Sequence, residues 1–285
     1  MLEALHGYVF YEIAALLVLA AGIGFVGLML RQPLIVSFIA VGILAGPSVL
    51  GIAQSDAHID LLAELGIAVL LFLVGLKLDL SLVRNLGAVA LTTGLGQIVF
   101  TTLFGFLIAV ALGIDPVTAI YVAIALTFSS TIIIVKLLSD KREIDSLHGR
   151  IALGFLIVQD IFVVLCMIAL SAVGAGGEGS AIAGVLRVLG FGLAMLVGVL
   201  LFIRYAATPL VERLAQAPEL LLSFAIGWAA LLAALGHYLG FGKELGGLLA
   251  GVSLASTPFR EAISARLAPL RDFLLLFFFI ALGAS

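Results

Sequence analysis

The sequence predicts an all-α membrane protein whose helices cross the bilayer several times. Hydrophobic residues make up 64% of the chain and charged residues 11%, with a mean hydropathy of +1.33, whereas soluble proteins are roughly 45–50% apolar. The apolar residues form continuous runs, long enough to cross a hydrocarbon core of about 30 Å as helices. They do not alternate with polar residues, as barrel strands of about ten residues do. The fold class is therefore a polytopic helical bundle.

Ten apolar runs are the candidate membrane helices, here called spans 1 to 10. The segment before span 1 contains no lysine or arginine, which favours a spanning helix over a cleaved signal peptide. Spans 9 and 10 are less distinct than the others. The runs lie near residues 10–30, 34–50, 61–78, 87–112, 116–138, 150–172, 184–205, 219–238, 243–257 and 269–284.

The basic residues orient the bundle. Twelve of the fourteen lysines and arginines lie beside the loops that follow spans 1, 3, 5, 7 and 9, whereas only Arg187 and Lys243 lie on the other side. Because basic loops stay in the cytoplasm, we expect an external N-terminus in a multi-pass protein of the inner (cytoplasmic) membrane. We expect the lipid bilayer to surround the protein. The sequence has no basic stripe with interleaved aromatic residues, so we expect no binding of nucleic acid.

An internal repeat relates the beginning of the chain to its end. Spans 2 and 9 share the pattern Gly-(Ile/Leu)-Leu-Ala-Gly, and the two copies differ by seven crossings. Since seven is an odd number, the copies are predicted to run in opposite directions, as in the inverted-topology repeats of secondary transporters. One offset of 205 residues aligns 42–49 with 247–254, 63–65 with 268–270 and 70–72 with 275–277.

The repeat also divides the segment 1–285, which we expect to be one transmembrane domain. Spans 1 to 6 form a first unit at about 10–172, a linker helix follows at about 184–205, and a second unit begins at about 219–285. The counterparts of spans 4, 5 and 6 would lie beyond Ser285 at the same offset. We therefore expect a C-terminally truncated sequence.

Span 5 carries hydroxyl side chains at its centre, in Leu126-Thr-Phe-Ser-Ser-Thr131. Such residues are weak helix formers, and their hydroxyls bond nearby backbone groups. We predict a local unwinding, which is tolerated at this depth only where it is buried or lines a cavity. The freed carbonyls would suit Na⁺ or K⁺. The alternative is an ordinary helix whose hydroxyls bond the preceding turn.

Asp160 lies near the middle of span 6, about ten residues from either end. A charge at that depth costs roughly 2.5–3.5 kcal/mol on insertion scales, and such residues mark ion or proton pathways by default. The alternative is a carboxylate that pairs with another helix. Gln159 either adjusts this site or bonds a neighbouring helix, and we expect Gln97 to make a polar contact between helices.

Five motifs follow one another along the chain. They are 46–51 (GPSVLG), 62–79 (LAELGIAVLLFLVGLKLD), 127–131 (TFSST), Gln159-Asp160 and 276–283 (LFFFIALG). This ordered set resembles the Kef-type branch of the monovalent cation:proton antiporter-2 family over nearly all of the chain. The resemblance implies a sodium/proton antiporter-like fold with a broken span 5, a homodimer, and a scaffold domain beside a mobile core.

The same resemblance implies roles for individual residues. Asp160 would bind the monovalent cation and the proton, with Gln159, Thr127, Ser129 and Ser130 forming the rest of the site. A Gln-Asp pair is similar to the potassium-transporting Kef systems. The second crossing helix and the cytoplasmic regulatory domain of many relatives would lie beyond residue 285.

These features predict a secondary active transporter that exchanges a monovalent cation, K⁺ more than Na⁺, for H⁺ by alternating access. Proton and cation would compete for Asp160. We expect no enzymatic activity and no cofactor in this segment, which would bind only the transported K⁺ or Na⁺ and H⁺. Two alternatives remain open at this point: a ligand-gated K⁺ efflux channel in which Asp160 only attracts cations, and a transport-inactive sensor or fragment.

Overall fold

A computed structural model describes residues 9–53, 56–77, 80–174, 178–240 and 242–284. Within these ranges the regular structure is helical throughout. A π-helical turn, Ile203–Ala207, joins the eighth and ninth α-helices. The α-helices are α1 (Val9–Met29), α2 (Leu34–Ala45), α3 (Asp56–Lys77), α4 (Leu80–Ala111), α5 (Pro116–Ala125), α6 (Thr131–Asp140), α7 (Leu147–Gly174), α8 (Glu178–Phe202), α9 (Thr208–Leu214), α10 (Pro218–Tyr238), α11 (Gly242–Leu254) and α12 (Arg260–Ala284).

Six helical segments in the described part of the chain are long and apolar enough to cross a membrane. They lie in α1, α3, α4, α10 and α12, and in the continuous segment made by α8, the π-turn and α9. Two shorter apolar helices, α2 and α5, accompany them. These helices confirm the predicted class, an all-α polytopic membrane protein.

All ten predicted spans fall on helices, but several boundaries differ from the sequence prediction: α3, α4 and α8 begin five to seven residues earlier than predicted, and two other differences have a clear cause. Helix α2 ends at Ala45, before the predicted limit of 50, because Gly46 adopts an extended conformation and a proline follows it. Helix α12 begins at Arg260 and continues through Pro269, near which span 10 was predicted to begin. Its first turns carry charged residues, so hydropathy alone does not detect them. The last two positions of the motif at 62–79 lie outside the described residues.

The chain forms two compact units, the first of which contains residues 1–69 and 264–285. Buried side chains of α1, α2 and the end of α12 share one apolar core in this unit, among them Leu16, Val41 and Phe277. Helices α2 and α12 approach closely, because a Cβ atom added to Gly42 would lie 2.8 Å from the Cα atom of Gly283. Small residues thus permit direct contact between the two backbones.

The second unit contains residues 70–263. Within it α4 packs against α5 and α7, and α11 packs against α10. Helix α11 also touches the end of α3, since a Cβ atom on Gly75 would lie 3.0 Å from the Cα atom of Gly251. The indole Nε1 of Trp228 donates a hydrogen bond of 2.9 Å to the hydroxyl of Ser253, which fixes α10 against α11.

The helix boundaries agree with the predicted offset of 205 residues. Shifting α3 by this offset gives 261–282, which falls inside α12, and shifting α2 gives 239–250, which overlaps α11. Each helix of one copy contacts a helix of the other copy: α2 of the first packs on α12 of the second, and α11 of the second packs on α3 of the first. The opposite directions of the two copies in the membrane, and the division into repeats and linker, stay predictions.

Candidate functional site

Span 5 is broken where its hydroxyl residues lie. Helix α5 begins after Asp115, whose carboxylate caps it by accepting hydrogen bonds from the backbone N–H groups of Val117 and Thr118. It ends at Ala125, and α6 begins only at Thr131. Residues 126–130 between them are not helical, so the predicted unwinding is confirmed. A hydrogen bond from the N–H group of Ile133 to the Ser130 hydroxyl, at 3.4 Å, caps the start of α6.

Two glutamine side chains hold the backbone of this break. The carbonyl oxygen of Thr127 accepts hydrogen bonds from the amide nitrogens of Gln97 on α4 and Gln159 on α7, each at 3.1 Å. The Gln159 amide also donates to the side-chain oxygen of Gln97 at 2.5 Å. We call these three residues the glutamine clamp. A carbonyl that the break removes from helical bonding is thereby satisfied inside the bundle.

Close packing of α4 on α7 brings the two glutamines together. A Cβ atom on Gly94 would lie 2.9 Å from the Cγ1 atom of Val158, and one on Gly154 would lie 2.5 Å from the Cβ atom of Ala90. Larger residues at either glycine would push the helices apart. Two small residues therefore determine whether Gln97 and Gln159 reach the break.

Asp160 follows Gln159 directly in the sequence, but its side chain lines a cavity and takes no part in the glutamine clamp. Its carboxylate accepts a long hydrogen bond, 3.4 Å, from the hydroxyl of Thr131 at the start of α6. Both side chains line a cavity of about 20 Å³, and Glu244 on α11 lines it too. One water needs roughly 10–15 Å³ on the same measure, so the cavity has room for a single small occupant. Its remaining walls are apolar: Leu71, Val74, Val135, Leu153, Leu156, Ile157, Leu245 and Leu248.

The five predicted site residues therefore occupy different positions. Asp160 lines the cavity, whereas Thr127 and Gln159 are buried in the glutamine clamp. The Thr127 hydroxyl donates to the carbonyl of Ile124 in the preceding turn, at 2.7 Å. Ser129 and Ser130 are exposed in the break. Their roles in cation binding stay predictions.

Three further residues belong to this region although the sequence did not assign them to the site. Thr131 is the last member of the hydroxyl run, and only the folded break shows that it is the one that contacts Asp160. Gln97 had been expected to join helices, and the structure shows that it joins α4 to the break itself. Glu244 was placed by hydropathy at the edge of span 9, and nothing in the sequence indicated that it faces Asp160.

The charge of the cavity lining is wholly acidic. Among the described residues that line it, Asp160 and Glu244 are the only ionisable side chains. Ion pairs in the described part of the chain involve other carboxylates, including Asp140 with Lys136 at 2.6 Å and Asp272 with Arg271 at 2.9 Å. The cavity therefore presents negative charge to whatever small species enters it.

Comparison with known proteins places this arrangement in a family. The sequence profile described as "Sodium/hydrogen exchanger, transmembrane" matches residues 14–285. The iron transporter MagA of Paramagnetospirillum magneticum is 32% identical over 95% of this chain and 62% of its own. K(+) efflux antiporter 5 of Arabidopsis thaliana is 29% identical over 95% of this chain and 49% of its own. The putative K(+) efflux antiporter KefB of Alkalimonas amylolytica is 31% identical over 88% of this chain and 38% of its own.

The chain thus spans between 38% and 62% of the length of these relatives. The profile match covers nearly all of the chain, and its transmembrane description agrees with the six candidate membrane spans in the described part of the chain. All three relatives are named as transporters, none as an enzyme. The chain belongs to the sodium/hydrogen exchanger family of transmembrane transporters, within its Kef-type cation:proton antiporter-2 branch.

Proposed function

We propose that the full-length protein exchanges a monovalent cation for H⁺ by alternating access, with Asp160 as the binding site that the two ions share. The observation that carries this proposal is the position of the Asp160 carboxylate, which lies within an apolar helix and lines a cavity with room for one small occupant. An ionised carboxylate in such surroundings is costly unless it binds a cation or a proton. Either species relieves the same charge, so each excludes the other.

Competition for one carboxylate produces exchange without further machinery. When the cation leaves, a proton takes its place. With either ion bound, the charge of the Asp160 carboxylate is neutralised, and the site can then switch from one side of the membrane to the other more easily than with a bare charge. One ion is returned for each ion carried, which gives one-for-one exchange. The Thr131 hydroxyl, 3.4 Å from Asp160, would supply a neutral oxygen ligand to the cation.

The broken span has two roles in this proposal. Thr127 and Gln159 hold the break in place, since the Thr127 carbonyl already accepts two amide hydrogen bonds. Ser129 and Ser130 are the exposed residues of the break, and they would offer hydroxyl and carbonyl oxygens to a cation that approaches it. A rigid break keeps these oxygens in one arrangement and lowers the cost of removing water from the ion.

K⁺ is the proposed cation. The Gln-Asp pair is similar to that of potassium-transporting relatives, and two of the three relatives compared above are named as K⁺ efflux antiporters. One relative is named as an iron transporter, but a transition-metal ion prefers several histidine, cysteine or carboxylate ligands. Within the described residues no group of three or more such side chains could hold a metal ion.

The surroundings of the transporter form part of the same proposal. We infer a homodimer in the inner (cytoplasmic) membrane with the N-terminus outside, and a cytoplasmic regulatory domain that follows residue 285 in the full-length protein. The uneven distribution of basic residues supports the orientation.

Replacement of Asp160 tests the proposal. In proteoliposomes that contain the full-length protein, a K⁺ gradient should drive H⁺ movement, and Asp160→Asn should reduce this exchange at least a hundredfold because it removes the charge while keeping the side-chain shape. Asp60→Asn is the matched control, since Asp60 is exposed and does not line the cavity. Exchange at the wild-type rate in Asp160→Asn would refute the assignment. Repeating the flux with Na⁺ tests the selectivity.

The same vesicles separate an exchanger from a channel. K⁺ current that persists without a pH gradient, at rates far above carrier turnover, would show that the protein is a channel. An exchanger instead requires both ions, so its K⁺ flux should stop when H⁺ movement is prevented.

A further inference from the structure

Glu244 is the one ionisable side chain that shares the cavity with Asp160 among the described residues, and the proposed exchange does not yet use it. It lies in the first turn of α11, whereas Asp160 lies on α7 and Thr131 at the start of α6. The consecutive helices α6 and α7, together with the distant α11, thus place two carboxylates and one hydroxyl around a space of about 20 Å³.

We propose that Glu244 is a second acidic ligand of the cation site and sets its affinity for the transported cation. This inference rests on the proposed function of Asp160 and extends it. A cation that loses water on entering an apolar cavity needs oxygen atoms to replace its hydration shell. Asp160 and Thr131 supply some of them, and Glu244 supplies further oxygen atoms and a further negative charge from another helix.

The backbone before Glu244 suits this arrangement. Gly242 has a φ angle of +82°, which a residue with a side chain adopts only with strain. A Cβ atom there would lie 2.6 Å from the Oε2 atom of Glu244. Glycine at this position therefore leaves space for the Glu244 carboxylate beside the start of α11.

A purely structural role would make different use of Glu244. An acidic residue in the first turn stabilises a helix through its dipole, and this role needs no contact with another helix. The shared cavity with Asp160 is an additional feature that helix stability does not explain. The two roles also differ in outcome, because a ligand changes cation affinity whereas a helix cap changes only the stability of the fold.

Electrostatics sets the expected size of the effect. At an effective dielectric constant near 20, a unit charge that borders the same small cavity changes the binding of a monovalent cation by about tenfold or more. Glu244→Gln should therefore raise the half-saturating K⁺ concentration for exchange about tenfold. The maximal rate at saturating K⁺ should stay within about twofold, because Asp160 remains to carry the ion.

The experiment uses full-length protein in proteoliposomes, with Glu244→Gln, Glu244→Asp, Asp160→Asn and the exposed control Asp60→Asn. Glu244→Asp keeps the charge and should restore most of the affinity, and Asp60→Asn should behave as wild type. A K⁺-dependent rise in melting temperature of the detergent-purified protein gives a second measure of binding that needs no transport. It also serves for a variant that does not insert into vesicles.

The outcomes separate this inference from the function on which it rests. If Asp160→Asn abolishes exchange while Glu244→Gln leaves the half-saturating K⁺ concentration within twofold of wild type, Glu244 is not a ligand and only this inference fails. A lower maximal rate with unchanged affinity would overturn it as well, since that result indicates a structural role. If Asp160→Asn exchanges ions normally, the proposed function itself fails.

Discussion

Removing one amide from the glutamine clamp should destabilise the fold, and Gln97→Leu is the change that tests it. The Gln97 side chain donates to the Thr127 carbonyl at 3.1 Å and to the Thr101 hydroxyl at 3.2 Å, and it accepts from Gln159 at 2.5 Å. Leucine has a similar volume and no polar atoms. The change therefore removes the hydrogen bonds while leaving most of the packing intact.

The expected cost follows from the bonds that remain. After the change, the Gln159 amide nitrogen and the Thr127 carbonyl oxygen still bond to each other at 3.1 Å, so neither of these two atoms loses its last partner. Hydrogen bonds between side chains in membrane proteins are worth roughly 0.6 kcal/mol on average and up to about 1.7. Three lost bonds give a decrease of about 2 kcal/mol in the free energy of unfolding.

Reversible unfolding of the full-length protein in mixed micelles, followed by circular dichroism, measures this difference. Thr92→Val is the matched control, because it too removes a polar group from a side chain of α4. Thr92 is exposed, and its hydroxyl bonds only to carbonyls of its own helix, at 2.9 and 3.1 Å. It should change the free energy by less than about 0.5 kcal/mol. A Gln97→Leu protein as stable as Thr92→Val would refute the proposed importance of the clamp.

Two further predictions concern other contacts. Gly75→Ala should lower the free energy of unfolding by about 1–3 kcal/mol through overpacking, because its Cβ atom would lie 3.0 Å from the Cα atom of Gly251. Gly87 has open space around it, so Gly87→Ala serves as the control. Equal melting temperatures of the two variants would contradict the close contact. Thr131→Val should raise the half-saturating K⁺ concentration about threefold, since it removes the weak 3.4 Å contact to Asp160 while keeping the shape. Unchanged affinity would exclude a ligand role for Thr131.

Local chemistry made the helix break predictable from the sequence. Four hydroxyl residues within 127–131 weaken helical bonding in any context, so the unwinding did not depend on knowing the neighbours. The face that each hydroxyl presents could not be predicted in the same way. An unwound segment has no fixed angle per residue, and for this reason Ser129 and Ser130 are exposed while Thr131 contacts Asp160.

Long-range contacts were the part that the sequence did not reveal. Gln97 meets Thr127 across 30 positions of the chain, and Gln159 meets Gln97 across 62. Hydropathy detects that each glutamine is at membrane depth but not which partner it finds. The position of Glu244 was even harder to interpret from the sequence, because an acidic residue in the first turn of a helix is common for reasons of helix stability alone. Only the packing of α11 shows that it shares a cavity with Asp160.

The size and lining of this cavity favour an exchanger over a channel. A selective pore conducts rapidly because several adjacent sites let one ion displace the next along a polar path. The space around Asp160 is about 20 Å³, and its walls are apolar except for the two carboxylates and one hydroxyl. In the proposed exchange, a single ion bound there would have no neighbouring ion to displace it, so its release would require a competing proton or a movement of the surrounding helices. Both are steps of alternating access, and neither supports the conductance of an open pore.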